Sequence, residues 1–403
     1  MPSDPALIAS PSPIQPLKAS VTPLREVEAR RALKICLLGY RSAPYGGGQG
    51  IYLKYLSKAL VEAGHQVDVI SGQPYPHLDP RVKLIKMPGM NLFETGLGSI
   101  RPHHLTSLTN IYEWTGKLTG AFSEPYCFGR RVLKYLKKHG RHYDIIHDNQ
   151  CLSYGMLALQ KQGFPLVTTI HHPITSDLNI ALSAAKSWTE RLLIRRWHSF
   201  LTMQRKVVRE LHHVVTVSER SRMDIAAAFD IQPAGISLVH CGIDTEEFRP
   251  LDNVEKNPSR IMATVSSDQP LKGMRYLLEA VAAVLPKYPN LELLLVGKPR
   301  EDGESGQLIR ELGLRKHIRA VSGISTEDLV KYYNEASVVV VPSVYEGFGL
   351  PAGEAMACGT ALISTDGGAL PEVVGDAAIQ VPVRNSQAIA EVLDTLLASP
   401  AWR

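Results

Sequence analysis

No two cysteines of this chain stand in a C-x-x-C spacing, and its five (Cys36, Cys127, Cys151, Cys241 and Cys358) are scattered and odd in number. That argues against a disulfide framework and fits small core residues in a reducing compartment. No apolar run approaches the ~20 residues that span a bilayer. The N-terminus lacks the basic and apolar blocks of a signal peptide, so a cytosolic protein is expected. No Asp-x-Asp pair offers itself to a divalent cation, so no catalytic metal is expected. The glycines after the first apolar run miss the G-x-G-x-x-G spacing of a dinucleotide fingerprint.

What is present is an ordinary globular balance, 44% hydrophobic and 21% charged residues, in a chain of 403 residues with room for two domains. Net charge is +5 but unevenly spread. Residues 31–240 hold 26 basic and 14 acidic side chains, a net of +12, against 15 and 22 in 241–403, a net of −7. Residues 1–30 are rich in Pro, Ser and Ala without a hydrophobic period, which predicts a disordered tail. From ALKICLLGY onward, apolar strand patterns alternate with helical ones. A glycine loop follows the first strand, and the helix after it closes at Gly64. A polar break over 241–259 separates two such series. The reading is α/β: two Rossmann-like doubly wound domains, 31–245 and 246–403, facing a cleft at the carboxyl ends of their strands.

The most informative stretch is YEGFGLPAGEAMACG, residues 345–359, directly after the β-branched run SVVVVPS. The run suits a strand buried on both faces of a parallel sheet. Gly347 and Gly349 allow close backbone approach, and Pro351 suits a first helical turn. The helix start offers free N–H groups to phosphate or sugar oxygens. Glu346 and Glu354 flank that seat. Carboxylates make sense there if they accept hydrogen bonds from sugar hydroxyls while amides hold phosphates, which points to a nucleotide-sugar site.

The segment PSVYEGFGLPAGEAMACGTALISTDGGALPEVVG resembles the signature of retaining glycosyltransferases of the GT-B fold, family four. That is the group of phosphatidylinositol mannosyltransferases and sucrose synthases. Lys272–Gly273, Gly46–Gly47, His171 after TTI, Val217–Ser218 and CGID extend the likeness from 31 to 400. The resemblance implies Glu354 on the ribose hydroxyls and Glu346 on the transferred sugar. It implies the amides of Phe348, Gly349 and Leu350 on sugar and diphosphate, with Lys272 and Gly46 or Gly47 against the phosphates. His171 would contact the donor sugar, although strand alternation alone would also let His172 face inward. His171, Glu346 and Lys272 are thus the catalytic candidates. No cofactor is implied beyond a nucleoside-diphosphate sugar as co-substrate. Gly367, Gly368 and Glu372 are read as a second loop beside the donor, and His147, Asp148, Ser218 and Arg222 as further cleft residues.

Two departures stand out. Ser266 occupies the place of an arginine that the family uses on the diphosphate, with Lys298 and Arg300 as candidate replacements. The chain also ends at SPAWR, before the helices that in the family cross back onto the first domain. The stretches 126–143 and 190–210 are strongly basic with aromatics, which predicts contact with an anionic membrane but not with nucleic acid. The acceptor is left open as lipid, glycan or small molecule. The rival readings are a binding protein of this fold with impaired or no turnover, and a nucleotide-sugar epimerase.

Overall fold

A computed structural model of the chain describes residues 31–45, 47–264 and 270–399. The expected tail over 1–30, Gly46 and Ser266 lie outside the described residues.

The apolar runs form two wholly parallel sheets. The first contains β1 (Lys34–Gly39), β2 (Gln66–Ser71), β3 (Lys83–Lys86), β4 (Ile145–Asn149), β5 (Leu166–Ile170), β6 (Val214–Thr216) and β7 (Ile236–Leu238), in the order β3-β2-β1-β4-β5-β6-β7. The second contains β8 (Asn257–Thr264), β9 (Glu292–Val296), β10 (Ile318–Val321), β11 (Ala336–Val341), β12 (Ala361–Thr365) and β13 (Ile379–Val381). Its order is β10-β9-β8-β11-β12-β13. Both repeat the doubly wound order, which reverses beside the first strand and opens a crevice at the carboxyl ends there.

Residue alternation explains why both faces are covered. In β1, Ile35 and Leu37 pack with Leu53 on one face, while Cys36 and Leu38 pack with Phe128, Val132 and Leu136 on the other. In the second sheet, Val338 and Val340 join Leu277 and Leu393, while Val339 and Val341 join Tyr333 and Ala352. All six residues of β11 are buried, as its β-branched run predicts.

The helix after β1 begins at Gly48. Gly47, at φ +92°, turns the chain so that the glycine run itself enters the first turn. This helix, Gly48–Glu62, also reaches the polar break and the helix Thr326–Glu335 of the second half. Lys54 Nζ donates to Thr326 Oγ1 (3.0 Å), Tyr55 OH to Glu247 Oε2 (2.7 Å) and Lys58 Nζ to Asp244 Oδ2 (2.7 Å). The stretch 88–125 contains short helical turns and one regular helix, Leu108–Leu118.

Candidate functional site

A cavity of about 550 Å³ lies between the carboxyl ends of the two sheets. Gly47, His171, Lys272, Glu346, Phe348, Gly349, Leu350 and Glu354 all line it, so these candidates open on one space. Lys298 and Arg300 are exposed and are not among its described lining residues.

Local backbone chemistry explains this convergence. After β11 the chain turns through Gly349 (φ +104°) into the helix Leu350–Ala357, with Pro351 in its first turn. A Cβ on Gly347 would stand 2.6 Å from the His171 carbonyl, so only glycine lets this turn approach the end of β5. The Gly347 carbonyl accepts from Ser218 Oγ (2.7 Å) and Ser221 Oγ (3.0 Å), which fixes the two loops together. Lys272 ends a short turn, Pro270–Lys272, that is tied to the same loop by Val344 N–H donating to the Leu271 carbonyl (2.8 Å).

Lys272 Nζ therefore meets Glu346 Oε1 at 2.7 Å, and Ser343 Oγ donates to the same oxygen at 2.7 Å. Both side chains of the ion pair are partly buried. Glu354 is buried and accepts from Tyr333 OH at 2.8 Å. Burial pushes its carboxyl up to about 7, against the opposing effect of the Tyr333 hydrogen bond.

His171 is held from three sides. Its N–H donates to Gln150 Oε1 (2.7 Å), its carbonyl accepts from Ser221 Oγ (2.7 Å), and its ring Nε2 lies 2.6 Å from Asn149 Oδ1. Asn149 Nδ2 donates to the Gln49 carbonyl (3.1 Å), so its oxygen is the atom facing the ring. Burial holds the imidazole down at about 3, hence uncharged at neutral pH. An oxygen opposite Nε2 then requires the proton on Nε2 and leaves the lone pair on Nδ1. His172 is also a lining residue, near Asp177 Oδ1 at 3.3 Å.

Asn149 and Gln150 are the residues that sequence reasoning missed. Their loop is strained: Gln150 and Leu152 have φ of +56° and +51°. Buried Asp148 holds it by accepting the N–H groups of Cys151 and Leu152, both at 3.1 Å. Three polar residues, DNQ, ending an apolar strand next to the glycine loop were the available signal.

Asp148 is thus a backbone clamp, and His147 is a half-buried neighbour of Thr169 (Nε2 to Oγ1, 2.7 Å) held down at about 4 by desolvation. Gly367 and Gly368 lie under the Glu346 turn, where a Cβ on Gly367 would come within 2.8 Å of the Val344 carbonyl. Glu372 is not among the described residues that line the cavity. It accepts the N–H of Glu219 (2.9 Å) at the start of the helix Glu219–Phe229, and a bond from His240 Nε2 (2.8 Å). A carboxylate at that helix N-terminus is well placed electrostatically. Arg222 pairs with Glu219 at 2.7 Å.

Two Rossmann-like sheets with facing carboxyl ends, a glycine loop on one side and a carboxylate–lysine pair on the other define a glycosyltransferase of the GT-B class. The family profile described as glycosyltransferase family 4 matches residues 46–247, and that of glycosyl transferases group 1 matches residues 245–403. An MMP alpha-(1->4)-mannosyltransferase of Mycolicibacterium hassiacum is 42% identical over 374 residues, covering 91% of this chain and 90% of that protein. A D-inositol 3-phosphate glycosyltransferase of Kribbella flavida is 28% identical, covering 94% and 89%. The solved sucrose-phosphate synthase from Thermosynechococcus elongatus superposes with a TM-score of 0.69 at 26% identity, covering 92% and 91%. The chain belongs to this glycosyltransferase family, and it is an enzyme that transfers a glycosyl group.

Proposed function

We propose that the chain is a retaining hexosyltransferase that uses a nucleoside-diphosphate sugar and neither a divalent ion nor a further cofactor. The observation that carries this reading is the Lys272–Glu346 pair and the buried Glu354 opening on one cavity around a helix start. In this reading the donor lies on residues 246–403. Glu354 accepts the ribose hydroxyls and Glu346 a sugar hydroxyl, while the amides of Phe348, Gly349 and Leu350 face sugar and diphosphate. The acceptor enters from residues 31–245.

The acceptor oxygen bonds the anomeric carbon as the bond from that carbon to the phosphate oxygen breaks. The electron pair leaves on the nucleoside diphosphate, and the acceptor proton passes to the leaving phosphate. Lys272 and the helix N–H groups stabilise the charge that develops there. His171, uncharged and with its Nδ1 lone pair, accepts a hydrogen bond from the donor sugar and moves no proton.

A screen of UDP-, GDP- and ADP-sugars for slow release of nucleoside diphosphate tests the proposal; no release from any of them excludes an enzyme of this kind. The productive donor has a characteristic pH profile. Glu354 is protonated below about 7 and ionised above it, and the carboxylate accepts from Tyr333 and ribose more strongly than the acid does. Donor KM is expected to fall about tenfold as pH rises from about 6 to about 8, the value of a charge-assisted hydrogen bond. Glu354→Gln removes that pH dependence and leaves KM at the weak, low-pH level.

A contact with anionic membranes is supported by one face of the first half. The basic helix Glu124–His139 buries Phe128, Val132 and Leu136 in the core. By contrast, helix Trp188–Trp197 has no buried residue. Its Trp188, Leu192 and Leu193 are 76%, 58% and 62% exposed, beside Arg191 and Arg195. Leu118 continues the patch across the Arg196–Thr119 hydrogen bond (2.6 Å). Apolar bodies among cations suit an anionic bilayer surface. Flotation with phosphatidylglycerol vesicles at low salt is expected to carry the protein, and Trp188→Ser with Leu192→Ser to release it. Failure to float removes this part of the proposal.

A further inference from the structure

We infer that Lys54, on the first-half helix Gly48–Glu62, is a donor-specificity residue that binds the ribose diol of the nucleotide together with Glu354 across the cavity. The inference rests on the nucleotide-sugar reading above. It adds a donor contact from the half through which the acceptor enters.

Lys54 lines the cavity, as do Thr326, Leu329 and Glu354. Its ammonium donates to Thr326 Oγ1 at 3.0 Å, and among the described residues no carboxylate forms an ion pair with it. The Tyr55 ring adds a cation–π contact at 4.9 Å, without an oxygen acceptor. An ammonium carries three donor hydrogens, so most of its capacity is left for a ligand. A charge that lines a cavity with a single hydroxyl as acceptor is incompletely satisfied.

Glu354 is the complementary group. Tyr333 OH donates to Oε2 at 2.8 Å, and among the described residues no hydrogen bond is made to Oε1. The helix Thr326–Glu335 brings the two groups to one end of the cavity. Thr326, Leu329 and Tyr333 stand at i, i+3 and i+7, on one helix face. The helix that anchors Lys54 at its first turn therefore anchors Glu354 two turns later. Burial has the largest effect on the Glu354 carboxyl and raises it, while the Lys54 ammonium is near enough to pull against that rise.

One wall thus presents a donor and the other an acceptor. A vicinal diol uses both: one hydroxyl donates to Oε1 while an oxygen of the pair accepts from Nζ. Because Lys54 and Glu354 come from opposite halves, the ribose then bridges the two.

The test measures binding to the full chain at a pH of about 8, where Glu354 is ionised. The ligands are the nucleoside diphosphate of the productive donor and its 2′,3′-dideoxy form. The ribose form is expected to bind about tenfold more tightly or better. Lys54→Met keeps the apolar stem and removes the charge. It should weaken the ribose form about tenfold, the value of one charge-assisted hydrogen bond, and the dideoxy form by less than about twofold. Lys54→Arg should keep most of the preference. Thr326→Val removes only the tie between the halves and should change either affinity by less than about twofold. Equal weakening of both ligands by Lys54→Met would put the ammonium on the phosphates or in the tie, and overturns the inference. A loss in Thr326→Val as large as that in Lys54→Met does the same. In either case, nucleoside diphosphate release with a donor KM sensitive to Glu354→Gln would leave the glycosyl-transfer reading standing. Absence of both nucleotide binding and release would overturn the two together.

Discussion

Lys272→Ala is expected to lower kcat for sugar transfer by about two to three orders of magnitude while leaving the fold intact. Removing one preorganised donor from a site of developing negative charge has an effect of that size, and Lys272 carries a full charge. Stability should change little. The pair with Glu346 is not fully buried, so water reaches the carboxylate that remains. After the substitution Glu346 keeps the Ser343 hydroxyl as a donor at 2.7 Å. Lys272→Arg should recover part of the rate, because the charge is restored but its reach is altered. Nucleoside diphosphate release and the melting temperature separate the outcomes. Unchanged release in Lys272→Ala, or in Glu346→Ala, would show that the chemistry lies elsewhere. A fall in Tm that matches the fall in rate would make Lys272 a structural residue.

The second-half wall of the cavity was legible in the sequence because its determinants are local. A β-branched run, Gly349, Pro351 and a carboxylate on each side lie within 20 residues, and strand, turn and helix follow from them directly. The sheet order was legible only as a class, since both halves alternate strand and helix in the same way. What the sequence did not reveal depends on register between distant segments. Asn149 reaches His171 because β4 pairs with β5, Asp148 opposite Thr168, and no spacing along the chain encodes that contact. Tyr333 becomes the partner of Glu354 by being fully buried beneath the helix that carries it. Glu372 sits in a glycine motif that reads as a donor loop, yet its carboxylate faces a helix start 153 residues away. The second basic stretch looked like the first in sequence. Whether such a helix buries its apolar face is decided by what packs on it: Glu124–His139 and, within the second stretch, Leu201–Glu210 bury theirs in the core, while Trp188–Trp197 does not.

Asn149→Ala is expected to reduce turnover by about ten- to a hundredfold although Asn149 is not among the described residues lining the cavity. The substitution leaves the half-buried Nε2–H of His171 without its partner, at about 1–3 kcal/mol for a donor left unsatisfied away from water. It also frees the ring to place its proton on either nitrogen, so Nδ1 no longer accepts reliably. If Asn149 acts through His171, the two changes cannot add: Asn149→Ala in a His171→Ala background should cost far less than it does alone. Asn149→Asp makes the sharper test. Both variants lose the donor to Gln49, but the aspartate places a carboxylate 2.6 Å from the ring position that the amide oxygen now occupies. An opposite charge at that distance raises an imidazole pKa by about 1–3 units, from a native value of about 3. The aspartate enzyme should then lose activity as pH falls through about 6 to about 4, where protonated His171 no longer has a lone pair to accept with. In that window the wild-type imidazole is mostly uncharged, so the acid limb must appear in the aspartate variant and be missing from Asn149→Ala. Parallel pH profiles in the two would reduce Asn149 to a packing residue and remove tautomer control from the site.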